Sequence, residues 1–246
     1  MVVAGNGTDP TAHSRWGSVS DGNVRRLNVL VALIGIVVSL PLMVVIALAV
    51  RLTSAGPILF RQERVGHDRR RGRRTADRKG QQDPAISGDS AMSRRTHDAG
   101  GRIFTMYKFR TMNTCTEGRV SREVWASPDD CRITFVGSFL RAYRLDELPQ
   151  LFNVLRGDMN VVGPRPEQPT IFQELKSQVE RYPERQIVLP GITGWAQVNR
   201  GYDQSMDDVR RKVEFDLEYI HRRSPAEDLR IMARTLPVMI GRRGAL

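Results

Sequence analysis

The sequence predicts an α/β protein that is mainly helical, with few strands, and that is held against a membrane. One uncharged apolar run extends from Val29 to Val50, and several later segments place apolar residues at helical spacing. The chain has 246 residues, of which 40% are hydrophobic. That composition suffices for one domain with a packed core and some appendages.

The apolar run has the length of a membrane helix. Its 22 residues would form a helix about 33 Å long, close to the ~30 Å hydrocarbon core of a bilayer. Pro41 removes a backbone donor in mid-run and breaks the hydrogen-bond ladder near Val37, where the hydroxyl of Ser39 can satisfy a freed carbonyl. We therefore assign the break in the helix to Ser39 and Pro41.

Three interpretations of this run remain open. A signal peptide cleaved near Ala49 is disfavoured because the run is too long and lies too late in the chain. A spanning helix and a re-entrant helix that returns to the same face both fit. Arginines flank the run on both sides, and cytoplasmic flanks are the ones enriched in Lys and Arg. The residues alone do not decide between spanning and re-entrant helices.

The composition divides the chain into three parts. Residues 1–23 predict a disordered tail, 24–52 the membrane helix and 53–246 a folded domain. Within that domain, 67–102 holds ten Lys or Arg, five Asp and almost no large apolar residue. Such a segment cannot bury enough surface to fold, so we predict a disordered basic insertion. It either lies on anionic lipid headgroups or has no specific role.

The remaining segments give the following elements. We expect a short strand or interfacial segment at 58–60, a strand or a helix at 103–112, and short helices between 133 and 159. We expect three later helices: one over 168–182 that stops before Pro183, one from Ser205 to about Arg222, and one from Asp228 to Ile240 interrupted by Pro237.

The net charge of +11 indicates anionic partners, namely nucleic acid, a membrane surface or phosphorylated substrates. The basic insertion contains no aromatic residue for stacking on bases, so we expect no nucleic-acid partner. A membrane-tethered protein that binds nucleic acid or anionic lipid remains the non-enzymatic alternative. Cys115 and Cys131 fit neither a zinc pattern nor a disulfide framework.

The densest chemistry lies between Arg141 and Glu167. Asp146 and Glu147 are adjacent, so on a helix they cannot face each other across a substrate, but they can approach one metal ion or phosphate. Neighbouring arginines predict that these carboxylates have lowered pKa values and stay ionised, as suits a metal ligand or a nucleophile. Arg165 stands between two prolines, which fix its backbone for a phosphate. Alternatively, the two carboxylates only cap the helix that starts near Pro149.

Several blocks of the chain, in order, are typical of one family. The chain resembles the bacterial sugar transferases, the monotopic polyprenyl-phosphate phosphoglycosyl transferases. The matching blocks cover nearly everything from Arg25 to about Ile240; they are the apolar run with Pro41, GPILFRQERVG, FTMYKFRTM, ITFVGSFLRAYRLDELPQLFNVLRGDMNVVGPRPE, LPGITGWAQVN, FDLEYI and DLRIMARTL.

The resemblance implies a fold and a location. The fold would be a re-entrant membrane helix hairpin, with amphipathic helices lying on the cytoplasmic face of the bacterial inner membrane and a small α/β catalytic region. The expected membrane partner is the anionic inner leaflet. Since only one apolar run exists, we expect the minimal form of the family, without an N-terminal multi-spanning domain.

The resemblance also implies a reaction. A UDP-sugar would be the donor, polyprenyl (undecaprenyl) phosphate the acceptor and Mg²⁺ the cofactor, in the first membrane step of exopolysaccharide, capsule or glycan synthesis. Asp146 would form a covalent phosphosugar intermediate, and Glu147 would support the metal, so that both carboxylates belong to the metal site. The implied substrate-phosphate ligands are Arg165 and Arg141, to which we add Arg144, Lys108 and Arg110.

The chain departs from the family pattern in two places. About 35 residues replace a short connection at the basic insertion. Asn28 stands where the family tends to carry an aspartate, so we expect weaker anchoring of the hairpin because an amide cannot pair with Arg25 or Arg26. The transferred sugar is not readable, although the stretch RGYDQSMDD favours a hexose such as glucose or galactose.

Overall fold

The structure, a computed structural model, describes residues 21–68, 100–113, 132–199 and 205–240. The predicted tail, apart from its last three residues, lies outside this part. So do residues 69–99 of the basic insertion, Cys115 and Cys131, and residues 200–204 of the stretch that favours a hexose.

The prediction of a mainly helical protein is confirmed. Two 3₁₀ turns, Leu145–Glu147 and Tyr182–Ile187, interrupt the regular elements. Strands β1 and β2 pair antiparallel, and strands β3 and β4 pair parallel. In chain order the helices and strands are α1 Asp21–Thr53, β1 Leu59–Val65, β2 Ile103–Phe109, α2 Phe135–Ala142, α3 Gln150–Arg156, β3 Asn160–Val162, α4 Pro169–Gln178, β4 Gly191–Thr193, α5 Trp195–Asn199, α6 Met206–Arg222 and α7 Pro225–Ile240.

The β1–β2 hairpin settles the open assignment of 103–112 in favour of a strand. Phe104 and Met106 alternate inward along β2, which is the period of a half-buried strand. Beyond the ladder, the Gly66 amide donates to the Arg102 carbonyl at 2.9 Å and the Arg102 amide to the His67 carbonyl at 3.2 Å. The ordered hairpin therefore extends into both ends of the predicted insertion, and those ends lie side by side.

Helix α1 has the length, composition and exposure of a membrane helix. Its segment Gly22–Thr53 is long enough and apolar enough to cross a bilayer, with a mean hydropathy of 3.0 over an 18-residue stretch. Only 17% of that stretch is buried, whereas a core helix of a soluble protein would be mostly buried. The helix starts and ends slightly outside the predicted range of 24–52.

The predicted break at Pro41 does not divide α1 into two helices. The helix runs unbroken from Asp21 to Thr53 with Pro41 inside it, so the re-entrant hairpin is not confirmed. The Ser39 hydroxyl does bond to a carbonyl, as predicted, but it donates to Gly35 at 2.6 Å rather than to Val37. A serine hydroxyl naturally reaches the carbonyl four residues back in a helix.

The N-terminal end of α1 is fastened to the domain by polar contacts. The Arg25 guanidinium donates to the carbonyl of Met159 at 2.6 Å and to that of Val154 near the C-terminal end of α3. The last carbonyls of a helix have no partner within the helix and carry partial negative charge. A cation from α1 therefore fixes the helix that directly follows Asp146 and Glu147.

Asn28 anchors α1 more firmly than the sequence suggested. It is fully buried, and its Nδ2 donates to Asp228 Oδ2 at 2.6 Å. Its Oδ1 accepts from the amides of Val161 at 2.8 Å and Val162 at 3.1 Å. The expectation of weak anchoring overlooked Asp228, a buried acceptor whose pKa is raised by burial. Facing that carboxylate, an amide supplies the donor that an aspartate lacks.

The C-terminal half of α1 packs on the domain through a separate apolar cluster. Leu145 and Leu148, on either side of Asp146 and Glu147, rest against this cluster. The packing sets the position of the first 3₁₀ turn relative to the membrane helix. The buried members are Met43, Ile46, Val50, Phe109 and Leu140.

The later helices follow the predictions closely. Ser205 caps α6 as predicted, its hydroxyl accepting from the Asp208 amide at 3.2 Å. Helix α4 ends at Gln178, earlier than expected, and Pro183 lies in the second 3₁₀ turn. The predicted interruption at Pro237 is wrong, because α7 continues from Pro225 to Ile240 with Pro237 inside it.

We predict that Asn28→Asp lowers the melting temperature of the purified protein in detergent by several degrees at pH 8. The change places two buried carboxylates together and removes the donor to Asp228. The loss should shrink at pH 5.5, where the two carboxylates can share a proton. Adding Asp228→Asn should restore much of the stability, because the donor returns on the opposite side. Equal melting of the single variant and the wild type at pH 8 would contradict the role given to Asn28.

Candidate active site

The two predicted carboxylates lie in the first 3₁₀ turn, between α2 and α3. Arg144 begins the turn in the left-handed conformation with φ of 55°. Asp146 and Glu147 are 9% and 7% exposed. Helix α3 begins after Pro149, and no side chain caps its N-terminus. The structure therefore does not support the alternative that the two carboxylates only cap this helix, because the capping hydrogen bonds are not formed.

Glu147 is clamped by two cations from different parts of the chain. Its Oε1 accepts from Lys108 Nζ at 3.1 Å and from Arg165 Nη2 at 2.7 Å. Lys108 comes from β2, and Arg165 from the loop after β3. Burial alone would raise the pKa of Glu147, but Arg165 and Lys108 outweigh burial and hold that pKa below its ordinary value. Glu147 is thus a permanent anion at the junction of three segments.

Asp146 has a different environment from its neighbour. No hydrogen bond joins its carboxylate to any residue in the described part of the chain. Burial raises its pKa to about 6; Lys108 opposes that shift, and the Glu147 charge adds to it. The prediction that both carboxylates have lowered pKa values is therefore wrong for Asp146 and right for Glu147. Lys108 and Arg165 bond to Glu147 and not to Asp146, so at Asp146 the effect of burial on the pKa exceeds that of the cations.

The five predicted phosphate-binding cations do not form one group. Lys108 and Arg165 contact Glu147, as described. Arg141 acts on Asp146 and Arg144 on Glu147 through charge, opposing the effect of burial on each pKa. Arg110 lies elsewhere, since its Nη2 donates to the carbonyl and hydroxyl of Ser54, both at 2.7 Å, beyond the end of α1.

A buried ion network holds the loop that carries Arg165. Arg185 is 2% exposed; its Nε donates to Asp216 Oδ2 at 2.7 Å and its Nη2 to the Arg165 carbonyl at 3.1 Å. Glu167 accepts from Lys212 at 2.8 Å. Burial would raise the pKa of Glu167, but Lys212 and Arg185 lower it to about 2.

Sequence reasoning missed this network, although one signal was present. Asp216 lies three residues after Val213 and seven after Val209, on the apolar stripe of α6. A carboxylate inside an apolar stripe indicates a buried ion pair. Its partner, Arg185, lies in an irregular segment where no periodicity marks it.

Asn153 is a second residue that sequence reasoning missed. It is fully buried on α3. Its Oδ1 accepts from the Tyr107 amide at 3.1 Å, and its Nδ2 donates to the Thr105 carbonyl at 2.7 Å. Asn153 thus fixes β2, the strand of Lys108, against the helix that follows Asp146.

The carboxylates suit a magnesium ion only in part. Over the described ranges, no group of three or more His, Cys, Asp or Glu side chains can hold a metal. Mg²⁺, however, commonly takes one or two carboxylates and completes its shell with water and substrate phosphates. The carboxylate of Asp146, and the Glu147 oxygen that contacts neither Lys108 nor Arg165, would suit two such ligand positions of Mg²⁺.

A small cavity of about 110 Å³ adjoins Glu147. Arg144, Thr193, Gln197 and Thr235 contribute polar groups to its wall. The Oε1 of Gln197 is buried and has no hydrogen-bond partner within the described residues. An acceptor left open beside the carboxylates suits a hydroxyl or N–H group of a bound molecule.

The chain belongs to the bacterial sugar transferase family, whose profile matches residues 21–74 and 86–242. The interruption of the match at 75–85 falls within the basic insertion. The resemblance drawn from the sequence is thereby confirmed.

Named relatives include enzymes for different sugars. The chain is 38% identical over 221 residues to a UDP-N-acetylgalactosamine-undecaprenyl-phosphate N-acetylgalactosaminephosphotransferase of Aeromonas hydrophila, covering 90% of this chain and 44% of the relative. It is 35% identical over 249 residues to a UDP-glucose:undecaprenyl-phosphate glucose-1-phosphate transferase of Xanthomonas campestris, covering 97% and 44%. A protein of that same description in Caulobacter vibrioides is 35% identical over 218 residues, covering 88% and 69%. The chain thus spans less than half the length of the first two relatives.

We predict opposite stability changes from neutralising the two neighbouring carboxylates. The raised pKa of Asp146 means that its ionisation costs stability as pH rises from about 4 to about 6. Asp146→Asn should therefore melt several degrees above the wild type at pH 8. The lowered pKa of Glu147 stabilises the fold above pH 4.5, so Glu147→Gln should melt lower at pH 8.

Melting is followed by tryptophan fluorescence in detergent with EDTA, so that bound metal does not contribute. At pH 4 the gain from Asp146→Asn should largely vanish, because Asp146 is then protonated in the folded state and the cost of ionising it there appears only at higher pH. Two variants that shift melting at pH 8 in the same direction would contradict the unequal environments of the pair.

Proposed function

We propose that this protein transfers a sugar 1-phosphate from a UDP-sugar to polyprenyl phosphate through a covalent aspartyl intermediate. The observation that carries the proposal is the contrast within the carboxylate pair. Glu147 is held by two cations, whereas Asp146 has no hydrogen bond to a described residue and has a raised pKa of about 6. The family membership and the activities of the named relatives support a UDP-sugar and a polyprenyl phosphate as the substrates.

In the first step a carboxylate oxygen of Asp146 attacks the β-phosphorus of the donor. A phosphorus–oxygen bond to Asp146 forms, and the bond between the β-phosphorus and the oxygen bridging to the α-phosphate breaks. UMP leaves with that oxygen. A raised pKa makes the carboxylate a better nucleophile, and a pKa near 6 still leaves most of it ionised at neutral pH.

In the second step an oxygen of polyprenyl phosphate attacks the same phosphorus. The bond from phosphorus to Asp146 breaks and returns the carboxylate, and the product is a polyprenyl diphosphate sugar. The first step exchanges the phosphoanhydride oxygen on the phosphorus for the Asp146 oxygen, and the second exchanges the Asp146 oxygen for that of the acceptor phosphate, so no water is consumed. Such a product is suited to be the first lipid-linked unit of an exopolysaccharide, capsule or glycan.

The cations around the pair offset the negative charge of two phosphate-bearing substrates. Arg165 and Lys108 contact Glu147 and also act on Asp146 through charge, so they would bind the donor diphosphate. Arg141 and Arg144 add positive potential. Asp146 and the second oxygen of Glu147 would hold Mg²⁺, which would supply further charge neutralisation when bound.

The activities of the named relatives leave the donor sugar open, since a glucose enzyme and an N-acetylgalactosamine enzyme have nearly the same sequence identity to this chain. Release of UMP from a panel of UDP-sugars would identify it. The same assay separates the transferase from the non-enzymatic alternative of a tethered basic protein, which would release no UMP.

We predict that Asp146→Asn abolishes UMP release from the accepted UDP-sugar, with a loss of at least ~10³-fold, because the attacking group is removed. Incubation of the wild type with donor alone should add the mass of a phosphosugar at Asp146, as detected by peptide mass spectrometry. Glu147→Gln should be severely impaired, and Arg165→Ala should lose about 10- to 100-fold, the worth of a charge-assisted phosphate contact.

Glu174→Gln is the control for the loss of a carboxylate, because Glu174 is exposed on α4 and belongs to neither the site nor the stretch that favours a hexose. Its rate should equal that of the wild type. Full UMP release by Asp146→Asn, or an adduct on another residue, would end the assignment of Asp146 as the nucleophile.

We further propose that α1 enters the inner membrane and returns to the cytoplasmic face, with amphipathic helices lying on the inner leaflet. Both ends of α1 contact the same domain, through Arg25 and Asn28 at one end and Val50 at the other. A bilayer cannot separate two ends that touch one folded body. On α2, Phe135 and Phe139 are exposed, which suits an interfacial helix.

This topology predicts equal labelling of the two ends of α1. In a variant with Cys115 and Cys131 replaced by serine, single cysteines at the exposed positions Gly22 and Thr53 should both resist a membrane-impermeant maleimide in spheroplasts. Both should react in inverted membrane vesicles. If either position reacts from outside the cell, α1 spans the membrane and the hairpin is excluded.

A further inference from the structure

An apolar groove of about 790 Å³ lies beside the C-terminal half of α1. Its walls include Met43 and Val44 of α1, Phe152 of α3 and the loop that leads into β1. Of the twelve residues that line it, ten are apolar, and the two exceptions are Arg61 and Arg110. The groove thus offers hydrocarbon contact together with positive charge, and no carboxylate lines it.

Arg110 lines the groove, and its charge has no carboxylate partner among the described residues. It is 5% exposed, and no carboxylate in the described part of the chain forms a salt bridge with it. One nitrogen bonds to Ser54, while Nε and Nη1 are buried without a hydrogen-bond partner there. A buried cation without an anion is costly to fold, and unsatisfied buried donors are rare unless something binds them.

The backbone makes room for this guanidinium. Gly56 has φ of +117°, and a Cβ at that position would lie 2.3 Å from Arg110 Nη1. The backbone conformation favours glycine, and a glycine at this position leaves space for the guanidinium. A glycine in an unusual backbone conformation therefore lies directly beside the Arg110 guanidinium at the groove.

We infer that this groove binds the acceptor, with the isoprenoid chain along its apolar wall and the phosphate at Arg110. An apolar groove with a buried cation that has no carboxylate partner among the described residues is complementary to a long hydrocarbon that ends in an anion. Leu48, next to the groove on α1, is an exposed apolar residue, so the occupant can enter from the bilayer. The inference rests on the proposed function and assigns one of its two substrates.

The groove is joined to the carboxylate pair through the backbone. Pro149 lines it three residues after Asp146. Phe109 lines it as well and lies between Lys108, which contacts Glu147, and Arg110. The two substrates would thus meet different cations: the donor diphosphate meets Lys108 and Arg165, and the acceptor phosphate meets Arg110.

The first test separates the two substrates kinetically. Arg110→Gln should raise the KM for undecaprenyl phosphate by about 10- to 100-fold, the worth of a charge-assisted phosphate contact. The KM for the UDP-sugar, and UMP release in a single turnover without acceptor, should stay within about twofold of the wild type. Equal losses for both substrates would show that Arg110 only supports the fold, and would overturn the inference.

A second pair of variants tests the groove if Arg110→Gln folds poorly. Val44 lines the groove and Val45 does not, yet they are adjacent on α1 and similarly exposed, at 53% and 62%. Val44→Trp should raise the KM for undecaprenyl phosphate at least fivefold and reduce the advantage of undecaprenyl phosphate over a short-chain polyprenyl phosphate. Val45→Trp should change neither. Equal effects of the two variants would overturn the inference.

Bulk phospholipid is the competing occupant. The Arg110→Gln assay is repeated in nanodiscs of phosphatidylcholine alone and with phosphatidylglycerol. A KM change that is the same in both supports acceptor binding, whereas a change confined to phosphatidylglycerol assigns the groove to that lipid and overturns the inference. If the wild type releases no UMP without acceptor, the covalent mechanism of the proposed function fails. In that case the change in KM for undecaprenyl phosphate, compared with the change in KM for the UDP-sugar, still tests the role of Arg110.

Discussion

The site depends on the clamp that Lys108 and Arg165 place on one oxygen of Glu147. These three residues come from a strand, a loop and a 3₁₀ turn that are distant in the chain, and the clamp holds them together. A buried carboxylate is costly unless cations and hydrogen bonds offset the lost hydration. By using the two cations in this way, Glu147 leaves Asp146 buried beside it without a hydrogen bond to a described residue.

Two adjacent carboxylates thereby acquire different chemical properties. If the cations were shared equally, both groups would have lowered pKa values and would be poor nucleophiles. The cations lower the pKa of Glu147, whereas burial raises that of Asp146 to about 6. The arrangement costs folding stability at Asp146, as is common where a site is shaped for reaction rather than for stability.

The sequence predicts those parts of the protein that local patterns specify. Hydropathy predicts α1, helical spacing and a capping serine predict α6, and a proline-flanked arginine beside two carboxylates predicts much of the site. It could not predict which cation meets which carboxylate, because the Glu147 clamp and the displacement of Arg110 are tertiary contacts. The same holds for Asn28, whose partner Asp228 lies 200 residues away. An unusual residue was recognised there, but its effect was judged without the partner that determines it.

Helix α1 connects this chemistry to the membrane. Arg25 binds the C-terminal end of α3, Asn28 binds β3 and α7, and Val50 packs beside Phe109. Each contact lies close in the chain to a residue of the carboxylate site or of the apolar groove. The membrane helix therefore serves as a wall of the domain as well as an anchor. The lipid acceptor of the proposed function could not leave the bilayer without exposing its chain to water. A site built directly against α1 would let the phosphate of that acceptor reach Asp146 while the chain stays in an apolar environment.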